Sequence, residues 1–125
     1  MREVAVPQRI QLSRAKGWKM PPNTVSIARP GRWGNLYRVD VFGLQLALAL
    51  YRNTLEGCWS PALVAGLSDE LAHEAYRLHC EMRVRLRCNP PSLLRGRNVA
   101  CWCSLPKPGE PDLCHGAPLL EIANK

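Results

Sequence analysis

Apolar and polar residues alternate over residues 9–13 (RIQLS) and again over residues 24–29 (TVSIAR). That period of two predicts two half-buried strands. Gly17, Pro21 and Pro22 break the pattern between them, and Gly31 and Gly34 break it afterwards, so both strands are followed by loops. LYRV at 36–39 reads as a short extended piece. From Asp40 the period lengthens. Residues 41–55 predict a helix capped by Asp40 and stopped by Gly57. Apolar residues on nearly every side place it deep in the core. Residues 57–66 read as a linker. Ser68, Asp69 and Glu70 then open a second helix, in which Leu71, Ala75, Leu78 and Met82 recur at helical spacing. It runs to about Arg87, where Asn89, Pro90 and Pro91 end it. VACWC at 99–103 is a short apolar strand, and a last helix starts near Pro118.

The order strand, strand, helix, helix, strand, helix, without repeats, predicts one α/β domain over residues 1–125. It is a small single-domain layer with a short, mostly buried sheet flanked by helices. The near-continuous apolarity of the last strand makes it the central one. No uninterrupted apolar core opens the chain, and its most apolar run is about half the length of a membrane-spanning helix. These features predict a cytoplasmic protein with no membrane partner, and there six cysteines are thiols or metal ligands rather than disulfides.

Three of those cysteines crowd the C-terminal part with a histidine: Cys101, Cys103, Cys114 and His115. Residues two apart on a strand share a face, so Cys101 and Cys103 project together while Trp102 points away. The following loop is long enough to fold Cys114 and His115 back over them. Three chemistries fit. The four residues make a Cys3His zinc site, although adjacent ligands such as Cys114 and His115 are an uncommon spacing. Alternatively Cys114 is a reactive thiolate at a helix N-terminus with His115 or Cys103 as helper, and Cys114 and His115 are the catalytic candidates of an enzyme acting on a nucleotide or nucleoside. In the third case buried cysteines simply pack as small hydrophobes. Cys58, Cys80 and Cys88 have no partner spacing.

Seventeen basic against ten acidic residues give a net charge of +7. Such a surface suits phosphate-bearing partners, nucleic acid or nucleotide, or serves solubility alone. The two loops after the predicted strands interleave basic residues with tryptophan, glycine and asparagine. Guanidinium groups hold phosphate and indole faces stack on bases. Lys16, Trp18 and Asn23 in the first loop, and Arg29, Arg32, Trp33, Gly34 and Asn35 in the second, are therefore the candidate ligand-binding residues. The alternative makes Trp18 and Trp33 core anchors. No paired carboxylates, phosphate-cradling glycine loop or serine triad appears.

QLSRAKGWKMPPNTVSIARPGRWGNLYRV followed by LLRGRNVACWCSL and CHGAPLLEIAN resembles the small bacterial and phage proteins of domain of unknown function family 4326. The resemblance covers residues 9–39 and 93–124. It implies that the two basic loops and the cysteine cluster form one site. Where the family pattern carries an acidic residue at the helix start, this chain has Ala117. A site at one rim requires the first two strands to run parallel to the last. A protein partner, with the cysteines purely structural, is the remaining reading.

Overall fold

The computed structural model describes residues 6–29 and 31–125. The first residues of the opening stretch, and Pro30 of the second basic loop, lie outside the described residues. Three strands, β1 (Arg9–Gln11), β2 (Thr24–Ser26) and β3 (Asn98–Cys101), form one sheet in the order β1-β3-β2. Both pairings are parallel, with Ile10 opposite Ala100 and Val25 opposite Val99. Val99 and Ala100 are fully buried. The last strand is therefore central, because only an apolar segment can be covered on both faces without unmet polar groups. Parallel pairing also brings the C-terminal ends of all three strands to one rim.

The helical layer is α1 (Val39–Phe42), α2 (Leu44–Glu56), α3 (Pro61–Val64), α4 (Asp69–Cys88) and, after a 3-10 turn at Pro91–Leu94, α5 (Gly116–Ala123). The expected helix over 41–55 is two helices. Gly43 adopts φ 80°, ψ 155°, a conformation open to glycine but not to other residues, and it ends α1 before α2 begins. Asp40 consequently lies inside α1 rather than at a cap, and its carboxylate accepts two 3.0 Å bonds from the Arg38 guanidinium. Nor is the helix buried all round. Ala47, Leu50, Tyr51, Thr54 and Leu55 face the core, whereas Leu44 and Gln45 face solvent.

The supposed linker contains α3, with proline at its first turn. No strand forms at LYRV. Instead the Asn35 Oδ1 accepts from the Tyr37 amide at 2.9 Å and turns the chain. The start of α4 follows the sequence pattern, since the Ser68 hydroxyl accepts from the Leu71 amide at 3.2 Å. No described helix is long and apolar enough to cross a membrane.

One polar chain runs through the layer. The Thr54 hydroxyl donates to the Leu50 carbonyl at 2.8 Å, which leaves its oxygen to accept from Tyr37 and from His79 Nδ1, both at 3.0 Å. His79 is buried among Trp59 and Tyr76. Burial first, and then the charge of Arg83, hold its pKa below the usual histidine value. The unfolded chain binds that proton more readily, at about 6.5. The histidine's contribution to stability is thus present above about pH 6.5 and is lost as pH falls through that value toward the lower folded pKa. Urea midpoints should fall between about pH 7.5 and pH 5.5, a window in which carboxylates stay ionised. In His79→Gln the same pH series should be flatter. An equal slope in the variant would assign the dependence to another group.

Candidate metal centre

The rim of the sheet is built around an arginine that strand periodicity would turn outward. Arg9 is the buried residue of β1, while Gln11 is exposed. Its guanidinium donates through Nε to Asp112, through Nη1 to the Cys103 carbonyl at 2.9 Å, and through Nη2 to the Ser104 carbonyl at 2.6 Å. Burial alone would lower the Arg9 pKa. The bond to Asp112 and the charge of that carboxylate reverse this, and the pKa rises. Asp112 also accepts from the Cys114 amide at 3.2 Å. One ion pair therefore fixes the backbone on both sides of the loop that carries two of the cysteines.

Within this frame the Sγ atoms of Cys101, Cys103 and Cys114 lie within 4.8 Å of one another. Cys101 ends β3 and the chain bends directly after it, so a bend rather than the strand pleat brings the Cys103 sulfur to 3.7 Å. Cys101 and Cys114 are buried and Cys103 is exposed. Their protons are shared unequally. A hydrogen bond from Cys114, with help from His115 and the Cys103 amide, holds the Cys101 thiol well below its ordinary pKa. Donating that bond, together with burial, pushes Cys114 up, although the Gly116 amide at 3.4 Å opposes the shift. Cys103, exposed on its outer side, is raised by desolvation where it packs against the cluster and by the neighbouring Cys101 charge. The hydrogen bond thus favours negative charge on Cys101 over Cys114, the residue that stands before the helix.

His115 adjoins the trio through Cys114. Its Nε2 meets the Ile27 carbonyl at 2.9 Å and must donate there, which leaves the Nδ1 lone pair 3.8 Å from the Cys114 sulfur. The Tyr51 ring packs edge-on against the imidazole, with centroids 5.3 Å apart. The three sulfurs can hold a soft or borderline metal ion, and the His115 nitrogens lie outside the group whose donor atoms all meet within 4.8 Å.

The second basic loop contributes unevenly. Arg29 and Asn35 line a cavity of about 330 Å³ together with Cys101, Cys103, Cys114 and His115. Trp33 does not: it is buried, donates from Nε1 to the Asn89 carbonyl at 3.0 Å, and anchors the loop in the core. Gly34 serves close packing, since a Cβ there would stand 2.8 Å from Arg29 Cγ. Arg32 is exposed and outside the cavity lining.

In the first loop Lys16 is exposed and Trp18 half-buried, and neither lines that cavity. Asn23 sits at the opposite end of the sheet. With φ 56°, it bonds the Gly96 carbonyl at 2.8 Å and ties the starts of β2 and β3 together. Residues not anticipated from sequence complete the rim: Arg9, Asp112, Gly116, Tyr37, Trp102 and Arg14, whose guanidinium lies 4.9 Å from the Trp102 ring centroid. Nothing in the local pattern of either segment marks Arg9 and Asp112 as partners.

The molecule is thus a small parallel α/β domain whose sheet rim carries a three-cysteine cluster able to hold a metal ion. A family model matches residues 10–125, and the chain belongs to that family, the domain of unknown function DUF4326. No curated protein and no solved structure matches the chain.

Gly116 tests the clamp. A Cβ at this position would lie 2.9 Å from Arg9 Cδ and 3.0 Å from Ile27 Cδ1. Gly116→Ala should cost about 1–3 kcal/mol of stability, because a packed arginine must shift. Denaturant titration measures this. An unchanged midpoint would show that Arg9 has room to move.

Proposed function

We propose that this chain is a zinc-bearing domain that binds nucleic acid or a nucleotide at the rim of its sheet. The mutual approach of the three sulfurs carries the reading. A tetrahedral zinc centre with zinc–sulfur bonds of about 2.3 Å separates two thiolates by about 3.8 Å, and Cys101 and Cys103 stand 3.7 Å apart. His115 supplies the fourth donor through Nδ1, with its second nitrogen held by a backbone carbonyl as metal-bound imidazoles usually are. Three thiolates around a dication carry a net negative charge, and the buried Arg9 offsets it.

The phosphate-binding half rests on the +7 charge and on Arg29 beside the cluster. A catalytic role for Cys114 and His115 draws support from their place in the same cavity lining. It requires a thiolate at Cys114, which is 3% exposed and whose pKa is raised by its bond to Cys101 and by burial.

Protein purified without chelator should carry about one zinc per chain, and Cys101→Ser or Cys114→Ser should lose it. No metal, with all three thiols titrating freely in the native protein, would refute the zinc reading. Affinity for nucleic acid should fall steeply as salt rises, because phosphate contacts release counterions. Fluorescence anisotropy with single-stranded, duplex and RNA probes at low salt measures it. Absence of binding to all of these and to mononucleotides would leave the charge to solubility. Turnover of a nucleotide that disappears in a folded, zinc-loaded His115→Gln variant would favour the enzymatic reading instead.

A further inference from the structure

Three chain segments leave neighbouring strands at the rim, and each places a different chemistry there. The loop after β1 carries Arg14, the bend after β3 carries Trp102, and the loop after β2 carries Arg29. Since the sheet order is β1-β3-β2, they stand in the sequence cation, indole, cation across the rim. Between Trp102 and Arg29 lies the cavity of about 330 Å³, floored by the cysteine cluster.

Trp102 is 47% exposed, although an indole of its size is normally covered. One face is held by the Arg14 guanidinium, 4.9 Å from the ring centroid. Stacking of this kind fixes the ring without hiding its other face. Arg29 enters no ion pair among the described residues, whereas Arg9, Arg38, Arg52, Arg77 and Arg85 each meet a carboxylate. The backbone of Arg29 is pinned by the close approach of Gly34. Its guanidinium thus meets no carboxylate among the described residues and extends from a backbone against which Gly34 packs. Asn35 adds a donor: its Oδ1 takes the Tyr37 amide and one amide hydrogen reaches Ala47, which leaves a second hydrogen for a ligand.

We propose that this cavity is a pocket for a single nucleotide, its base stacked on Trp102 and its phosphate held by Arg29. The inference rests on the phosphate-binding reading above and narrows it. The cavity is at the small end of ligand pockets, which run from about 300 to 1,000 Å³. It admits one base with its sugar and excludes a duplex, whose bases stay stacked on one another. Strands about 4.8 Å apart put the residues after β3 and β2 within the reach of base to phosphate across one sugar. The sulfurs of the floor repel an anion, so the phosphate belongs at the Arg29 side. A free mononucleotide and the terminal nucleotide of a single strand present the same chemistry.

The test titrates full-length protein with the four ribonucleoside monophosphates, the matching nucleosides, a 5′-phosphorylated single strand and a blunt duplex. Calorimetry and tryptophan quenching are read together. A monophosphate should bind and quench. Arg29→Gln and Trp102→Leu, both substitutions of exposed residues that leave the core intact, should each weaken it roughly tenfold or more. Nucleoside affinity should respond to Trp102→Leu but not to Arg29→Gln. Competition between monophosphate and single strand would identify the strand terminus as the ligand's source, and binding of the monophosphate alone would identify the free nucleotide. Monophosphates that do not bind, or that bind both variants as they bind the parent protein, overturn the pocket. If salt-sensitive nucleic-acid binding then persists, the broader phosphate reading stands without it. If every probe fails, both fall.

Discussion

A guanidinium taken out of water has to be met on every side, and in this protein that requirement organises the rim. Arg9 satisfies it with a carboxylate from Asp112 and with carbonyls from Cys103 and Ser104. These acceptors belong to a loop far along the chain from the strand that carries the donor. An ion pair of this kind adds little net stability, because desolvation consumes most of the attraction. Its effect is on uniqueness: any other path for the loop strands a buried charge. Lysine could not substitute, since a single ammonium lacks the planar fork that reaches three acceptors in fixed directions.

The same requirement explains which parts of the molecule were legible in the sequence. Val99 and Ala100 announce a central strand because apolarity on both faces has one common cause. The α4 helix is equally readable, as Ser68 and the two acids after it act locally. Arg9 was not readable. Alternation assigns the inward face of RIQLS to Ile10 and Leu12, and the tertiary partners that reverse the assignment lie at the far end of the chain. Gly43 was obscured for a related reason. Apolar residues continue on both sides of it, and the turn shows only in the backbone geometry.

The tryptophans show how composition can indicate the right chemistry on the wrong residue. Trp33 lies in the loop whose makeup suggests stacking on a base, yet its indole hydrogen is spent on Asn89 and its ring is buried. Trp102 sits between two cysteines in what reads as a strand, and it is the exposed ring. The strand stops two residues earlier than the apolar run, at Cys101, and the bend that follows turns Trp102 outward while drawing the sulfurs together. Local pattern cannot place that bend, because the loop residues held by Arg9 set it.

The order of strands in space has a consequence for how the chain acquires its shape. The two N-terminal strands do not pair with each other; each pairs only with β3, which comes after four of the five helices. During synthesis β1 and β2 therefore wait without a hydrogen-bonding partner until nearly the whole chain has emerged. The contacts that close the sheet span most of the sequence, a topology associated with slow folding and with strand edges left open to other chains in the interval. Helices α2 and α4 can dock earlier, through neighbours already made. The rim and its cysteines are then the last part of the molecule to exist.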